Sequence, residues 1–395
     1  MNFLKRNVVL LALCQAMMIT GTSLILSSAA LVGQQIGGAA LATVPLGLMF
    51  LGNMSMMFPA SLLMKHYGRR AGFTLGVLLA LLGASLCALG VAQGNFILFS
   101  LGAMAIGMFN GTGQFFRFAA ADAASADYRS RAISWVLAGG VLAALLGPNL
   151  AALTRTSFTV EFAGSYAALI GVYLIALTLI SALRIPLPTQ EERRSGGRPL
   201  ADIVRQPKFI VAVLGATVGY GVMNLVMTAT PLAMHAYEHP FGSTALVIQW
   251  HVLGMFLPSF FTGHLIRYCG VLNIMLLGGL ALLACVIVNL LGVDVPHFMA
   301  ALILLGLGWN FLYIGASTLL TETYEPAEKA KTQALHDFIV FSTVTVTAFS
   351  AGAIHGHFGW QMINLGVLPL IALTLIATGW LRLQRKQSVP ERLAT

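Results

Sequence analysis

Apolar runs long enough to cross a bilayer recur along the whole of this 395-residue chain, and no other feature restricts its fold as much. They lie near residues 7–31, 40–64, 71–92, 95–118, 130–154, 165–185, 208–233, 244–266, 271–293, 298–321, 332–354 and 360–381, labelled α1 to α12 in chain order. A spanning helix needs roughly 17–25 such residues. Hydrocarbon offers no partner to a backbone N–H or C=O, so each run is expected to be helical. Charged residues make up 9% of the chain, against about 25% in soluble domains. The expectation is an all-α membrane protein with twelve transmembrane helices.

The net charge of +9 could suggest a nucleic-acid partner, but the placement of the charges argues against one. With the N-terminus cytoplasmic, Lys5, Arg6, Lys65, Arg69, Arg70, Arg129, Arg131 and Lys329 to Lys331 fall on one side. The cluster from Arg184 to Lys208 and the tail from Arg382 to Arg392 fall there too. Of the 22 Lys and Arg, only Arg155 enters an outer loop, and Arg117 sits near the inner end of α4. This is the positive-inside pattern, with both termini cytoplasmic. The first apolar run is about twice the length of a signal-peptide core and is expected to be retained as α1. Cys14, Cys87, Cys269 and Cys285 show no paired spacing, so neither a disulfide framework nor a zinc cluster is expected.

Between Arg184 and Lys208 the chain turns polar, "RIPLPTQEERRSGGRPLADIVRQPK", which marks a cytoplasmic linker between six helices on either side. The expected division is a first bundle over 1–186, a linker over 187–207, and a second bundle with a tail over 208–395. Weak repetition relates the halves. "SLLMKHYGRR" (Ser61–Arg70) matches "GHLIRYCGVL" (Gly263–Leu272), and "GMFNGTG" in α4 has a counterpart in "GLGWNFLYIG" in α10.

These motifs resemble the major facilitator superfamily over nearly the full chain. Its signature between the second and third helices is Gly-x-x-x-Asp-Arg-x-Gly-Arg-Arg/Lys. The chain keeps Gly68, Arg69 and Arg70 but has Ser61 for the first glycine and Lys65 for the aspartate. The second copy keeps Gly263 and Gly270, with Arg267 in the acidic position, and α5 carries Gly139 and Gly147-Pro148 of a family packing motif. The missing aspartate removes a member of the family's charge-relay latch without touching the fold. The resemblance implies two pseudo-symmetric six-helix bundles, the major facilitator fold, around a central site open alternately to each side.

Two pairs of residues four apart then stand out: Met223 with Met227 in α7, and His251 with Met255 in α8. Residues at that spacing share a helix face about 6 Å apart. Counted from His239 in the turn, Met227 and His251 lie at one depth, and Met223 and Met255 at another. The four would form two rungs of soft ligands, which suit Cu(I) better than hard cations or Zn. Packing also explains such stripes: chance alone gives about 0.7 Met-x-x-x-Met pairs against the two present, the other being Met104 with Met108. Gly215, Gly219, Met223 and Met227 form one stripe, and His251, Met255, Ser259 and Gly263 another, as in close helix packing. A histidine inside a membrane helix is costly and a candidate for function. As a structural residue it would need a partner, such as Asn224 or Thr228.

The pattern resembles the CcoA-type copper importers of bacterial cytoplasmic membranes, which carry Met-x-x-x-Met in the seventh helix and His-x-x-x-Met in the eighth. That resemblance implies copper import for cytochrome oxidase assembly, with Met223, Met227, His251 and Met255 as transient ligands and copper as cargo. No cofactor is expected, and the partners are the copper ion and the lipid bilayer. The alternative is import of riboflavin or another small organic solute, because the same wider group holds riboflavin importers. Asn224, Thr228 and Gln249, with Tyr220, Trp250 and Phe256, are the polar and aromatic groups available for it.

Further candidates are the outer-loop histidines His235, His239, His297, His355 and His357, and the methionines Met17, Met18 and Met54 to Met57. His336-Asp337 near the inner end of α11 could shuttle protons or form a cap. No acid stands clearly at midmembrane, so proton coupling has no support at this level. Nucleotide loops, nucleophile–base arrangements and paired carboxylates are lacking, so an enzyme is not expected.

Overall fold

The computed structural model describes residues 3–38, 41, 44–122, 124–187 and 197–391. Among them, eleven helices are long and apolar enough to span a membrane. They are α1 (Arg6–Leu26), α2 (Val44–Tyr67), α3 (Arg69–Ala92), α4 (Phe96–Asp122), α5 (Arg129–Ala151), α6 (Ala163–Ser181), α7 (Pro207–Ala236), α9 (Val271–Leu291), α10 (Val295–Leu320), α11 (Lys329–Ala351) and α12 (Ile354–Arg385). A bent pair, Leu246–Phe256 with Ser259–Cys269, makes the twelfth span α8. No strand occurs among the described residues. The linker calls on 188–196 and the tail from Arg392 lie outside them.

The chain forms two compact units. Unit 1 holds residues up to Ser125, Trp135–Gly197 and Pro326–Phe341; unit 2 holds Ala126–Ser134, Arg198–Glu325 and the chain from Ser342 onward. The first turns of α5 and of α11 therefore each pack with the half of the sequence to which they do not belong.

The reason is local and appears twice. In unit 1 the Ser61 hydroxyl donates to the Ala330 carbonyl at 2.6 Å. In unit 2 the Ser130 hydroxyl donates to the Gly263 carbonyl at 3.1 Å. A Cβ on Gly263 would stand 2.7 Å from Arg131 Cα, so only glycine admits this approach. Ser61 and Gly263 are the aligned first residues of the internal repeat, and both reach a first turn contributed by the other half of the chain.

Seven residues on, the repeat holds again. Gly68 (φ 88°, ψ 163°) and Gly270 (φ 85°, ψ 148°) end α2 and α8 in the same backbone conformation. Each N–H closes on the carbonyl four residues back at 2.9 Å. A side chain at either φ would be strained.

The bend of α8 follows from Pro258. Proline has no N–H and crowds the preceding turn, so the helix breaks at Leu257. Asn310 of α10 repairs the gap. Its amide donates to the Met255 carbonyl at 2.7 Å and to Ser259 Oγ at 2.6 Å, while its oxygen accepts from Thr262 Oγ at 2.7 Å. Asn310→Leu keeps the volume but takes the donor from the Met255 carbonyl and the Ser259 hydroxyl, both in buried residues. An unsatisfied buried polar group costs about 1–3 kcal/mol, so this variant is expected to melt well below the parent in detergent.

Candidate functional site

Unit 2 contains all four of the sequence-predicted ligands. His251 is fully buried, with Nδ1 2.8 Å from the Leu302 carbonyl of α10. A carbonyl only accepts, so Nδ1 carries the proton. Nε2 is therefore a bare lone pair, and it has no hydrogen-bond partner. The structural partner of His251 is thus neither Asn224 nor Thr228. Asn224 instead turns to α11, donating to the Val344 carbonyl at 3.2 Å and to Thr347 Oγ1 at 3.0 Å.

The α8 stripe lies on α10. A Cβ on Gly306 would stand 2.7 Å from the His251 carbonyl oxygen and from the Met255 amide nitrogen. Met255 is buried, and Ser259, next on the stripe, takes its bond from Asn310. On α7, a Cβ on Gly215 would meet Met275 of α9, and one on Gly219 would meet Leu312 of α10. Met223 continues that buried face, whereas Met227 is half-buried. The small residues of both stripes thus serve close helix packing, as the packing explanation expected.

Between α7 and α8 stands an aromatic cluster built on α10. Trp309 and Tyr313 stack, with centroids 5.2 Å apart and planes 19° apart. Tyr220 of α7 meets both edge-on, at 5.4 Å and 5.2 Å. Phe256 of α8 meets Trp309 edge-on at 5.6 Å. Such offset and edge geometries add about 0.5–1.5 kcal/mol per pair beyond area burial. The stack therefore holds the Tyr220 ring in a fixed attitude. Trp309 and Tyr313 are buried, but Tyr220 is half-buried, as are Thr217, Met227 and Thr228. These four lie at helical spacing on one side of α7. Thr217 Oγ1 and Trp309 Nε1 have no hydrogen-bond partner.

Among the described residues no group of three or more His, Cys, Asp and Glu could hold a metal ion. Of the histidines expected in outer loops, His239 lies with Nε2 2.6 Å from the Val293 carbonyl, and His297 sits 3.9 Å from Asp294. The four cysteines are free.

In unit 1, Arg69 of the signature donates to Asp122 at 2.8 Å and to Gln333 at 2.7 Å. Asp122, at the end of α4, thus supplies an acid to the signature arginine where Lys65 has replaced the signature's own. Arg117 of α4 pairs with Asp337 of α11 at 2.5 Å, both essentially fully buried.

The description of the major facilitator superfamily matches residues 11–249 and again 213–394. The chain belongs to that superfamily. It is 40% identical over 391 residues to the riboflavin transporter RfnT of Brucella anthropi, covering 98% of each protein. Its fold is similar to that of the fucose:proton symporter FucP of E. coli, at a TM-score of 0.75 and 16% identity, covering 96% of this chain and 99% of that one. It is equally similar to the human organic anion transporter MFSD10, at 0.75 and 16%, covering 95% and 99%. The repeat visible in Ser61–Arg70 and Gly263–Leu272 is therefore that of a transporter superfamily, whose members are not in general enzymes.

The cluster on α10 was only half legible beforehand. The sequence shows "GLGWNFLYIG" as a counterpart of the α4 motif, and Tyr220, Trp250 and Phe256 as available rings. That Trp309 and Tyr313 stack between them depends on where α10 lies.

Proposed function

We propose that this chain imports riboflavin, or a flat aromatic solute of the same kind, across a bacterial cytoplasmic membrane. The observation that carries this is the 40% identity to a riboflavin transporter over 98% of both chains. The α7–α10 aromatic cluster supports it physically. A wide, neutral ring system needs an apolar, aromatic wall and a few convergent polar groups. Tyr220 offers a ring held by its neighbours, and Thr217 and Thr228 offer hydroxyls beside it on α7.

The test is a riboflavin auxotroph lacking its own importer. Expression of this chain is expected to restore growth at low external riboflavin without raising cell copper. Absence of rescue with the protein present in the membrane sinks the reading.

One observation favours copper as a second reading. A metal-ligating histidine commonly donates its other ring N–H to a carbonyl, which fixes its tautomer. His251 does this, with Nε2 left unpartnered. Under this reading Met223, Met227 and Met255 supply thioethers, and expression raises cell copper unless His251 is replaced by alanine.

The lysine and arginine distribution further supports a cytoplasmic position for both termini. A reporter fused at Arg198 is expected to score cytoplasmic, and one in the turn at Phe241 outside. The reverse at Arg198 would invert the orientation.

A further inference from the structure

The internal repeat extends to how the helices touch, and the contact glycines fix its register. In unit 2 a Cβ on Gly306 of α10 would stand 2.7 Å from the His251 carbonyl oxygen, and one on Gly254 of α8 3.0 Å from the Ile303 carbonyl oxygen. In unit 1 a Cβ on Gly107 of α4 would meet the Met49 carbonyl, and one on Gly52 of α2 the Met104 carbonyl. Gly107 thus corresponds to Gly306, Met49 to His251, Gly52 to Gly254 and Met104 to Ile303. Gly111 then corresponds to Asn310. A Cβ there would stand 2.5 Å from the Asn53 carbonyl oxygen, just as the Asn310 amide meets the Met255 carbonyl in unit 2.

This register sets unlike side chains at equivalent places. Trp309, half of the aromatic stack in unit 2, corresponds to Asn110 in unit 1, and Met255 corresponds to Asn53. Tyr313 corresponds to Gln114, whose Oε1 already accepts from Arg117 at 3.2 Å. Asn53 and Asn110 are only 5% and 4% exposed, yet neither Asn53 Oδ1 nor Asn110 Oδ1 has a hydrogen-bond partner. A buried amide oxygen without a donor is expensive inside a membrane helix and calls for an occupant. Packing does not require these amides. The close approach of α2 and α4 is made by Gly52, Gly107 and Gly111, and unit 2 fills the same two places with a thioether and an indole.

We propose that Asn53 and Asn110 form a hydrogen-bonding subsite of unit 1 for the hydroxyls of a neutral polyol chain, and that this subsite makes the carrier prefer solutes bearing such a chain. The chemistry follows from what the two side chains lack. An amide carries no charge to balance an ion, so the occupant is a neutral hydrogen-bonding group. Two orphan acceptors on two helices need two donors. The ring system of riboflavin presents a single imide N–H, whereas its ribityl chain presents several hydroxyls on rotatable bonds. A hydroxyl both donates and accepts, so it suits either end of an amide. The inference rests on the riboflavin reading for its solute and adds to it the part of the solute that unit 1 selects.

The experiment measures uptake of labelled riboflavin by cells expressing the full chain. The competitors are unlabelled riboflavin and lumiflavin, which has the same ring with a methyl group in place of the chain. Wild type is expected to prefer riboflavin. Asn53→Leu and Asn110→Leu are each expected to weaken riboflavin roughly 2- to 13-fold, the range of one neutral hydrogen bond. Lumiflavin should compete as before, so the preference shrinks. Both variants should melt with wild type or above it in detergent, because each loses an unpaired buried amide rather than a bond. Equal competition by the two flavins in wild type overturns the proposal. So does a preference undiminished in both variants, the result if the amides hold only a structural water, or a loss that falls equally on both flavins. If wild type takes up no riboflavin, the substrate reading falls, and ribitol decides the subsite alone. Ribitol should then raise the melting temperature of the purified wild type more than that of either variant, and an equal rise in all three overturns the subsite.

Discussion

Tyr220→Ala is expected to cut riboflavin uptake to near background at low external concentration, while Tyr220→Phe keeps most of it. Stacking of a flat heterocycle on an aromatic side chain contributes about 1–3 kcal/mol. Loss of that contact corresponds to roughly 5- to 150-fold in apparent KM, since each 1.4 kcal/mol is tenfold. The phenylalanine variant retains the ring and its edge-on seat against Trp309 and Tyr313, at 5.4 Å and 5.2 Å. Tyr220 is the member of the cluster to change because it is half-buried, so trimming it leaves the stacked pair beneath intact. Trimming Trp309 instead would confound the result, because a buried Trp→Ala change costs about 3–5 kcal/mol of stability. Initial uptake rates across a riboflavin series check the expectation, with membrane protein quantified in parallel. An unchanged KM in Tyr220→Ala would remove this cluster from the solute path.

The second large effect concerns stability. Arg117→Leu leaves Asp337 as a buried carboxylate whose one remaining partner is His336. Removing one partner of a buried pair costs about 3–5 kcal/mol, a large share of what holds an ordinary domain folded. The variant is expected to be scarce in membranes and to melt early in detergent. Arg117→Gln with Asp337→Asn should recover most of the loss, because both charges leave together and the new carbonyl oxygen still accepts from His336 Nδ1. If Arg117→Leu melted with wild type, the pair would carry little structural weight.

Much of this architecture was legible in the residues. Apolar length placed twelve spans, because a bilayer accepts only segments that satisfy their own backbone over a set thickness. The repeat of Ser61–Arg70 in Gly263–Leu272 was equally readable, and Gly68 and Gly270 do share one positive-φ conformation. Local chemistry decides such features: a proline that must break a helix, a glycine that must turn one.

Partner choice was not legible. Spacing could align Met223 and Met227 on α7 and His251 and Met255 on α8, but could not say that α10 supplies the partner of His251. Nor could it place Trp309 and Tyr313 against Tyr220, or send Asn224 to α11. Asp337 looked like an acid near a helix end, and the fold buries it against Arg117, 220 positions away in the chain. A sequence records which groups share a face of one helix. Which second helix meets that face depends on ridges, grooves and small residues from the whole bundle, so the sequence by itself determined the spans and the repeat, and the tertiary structure alone decided which of the described buried polar groups are paired and which are not.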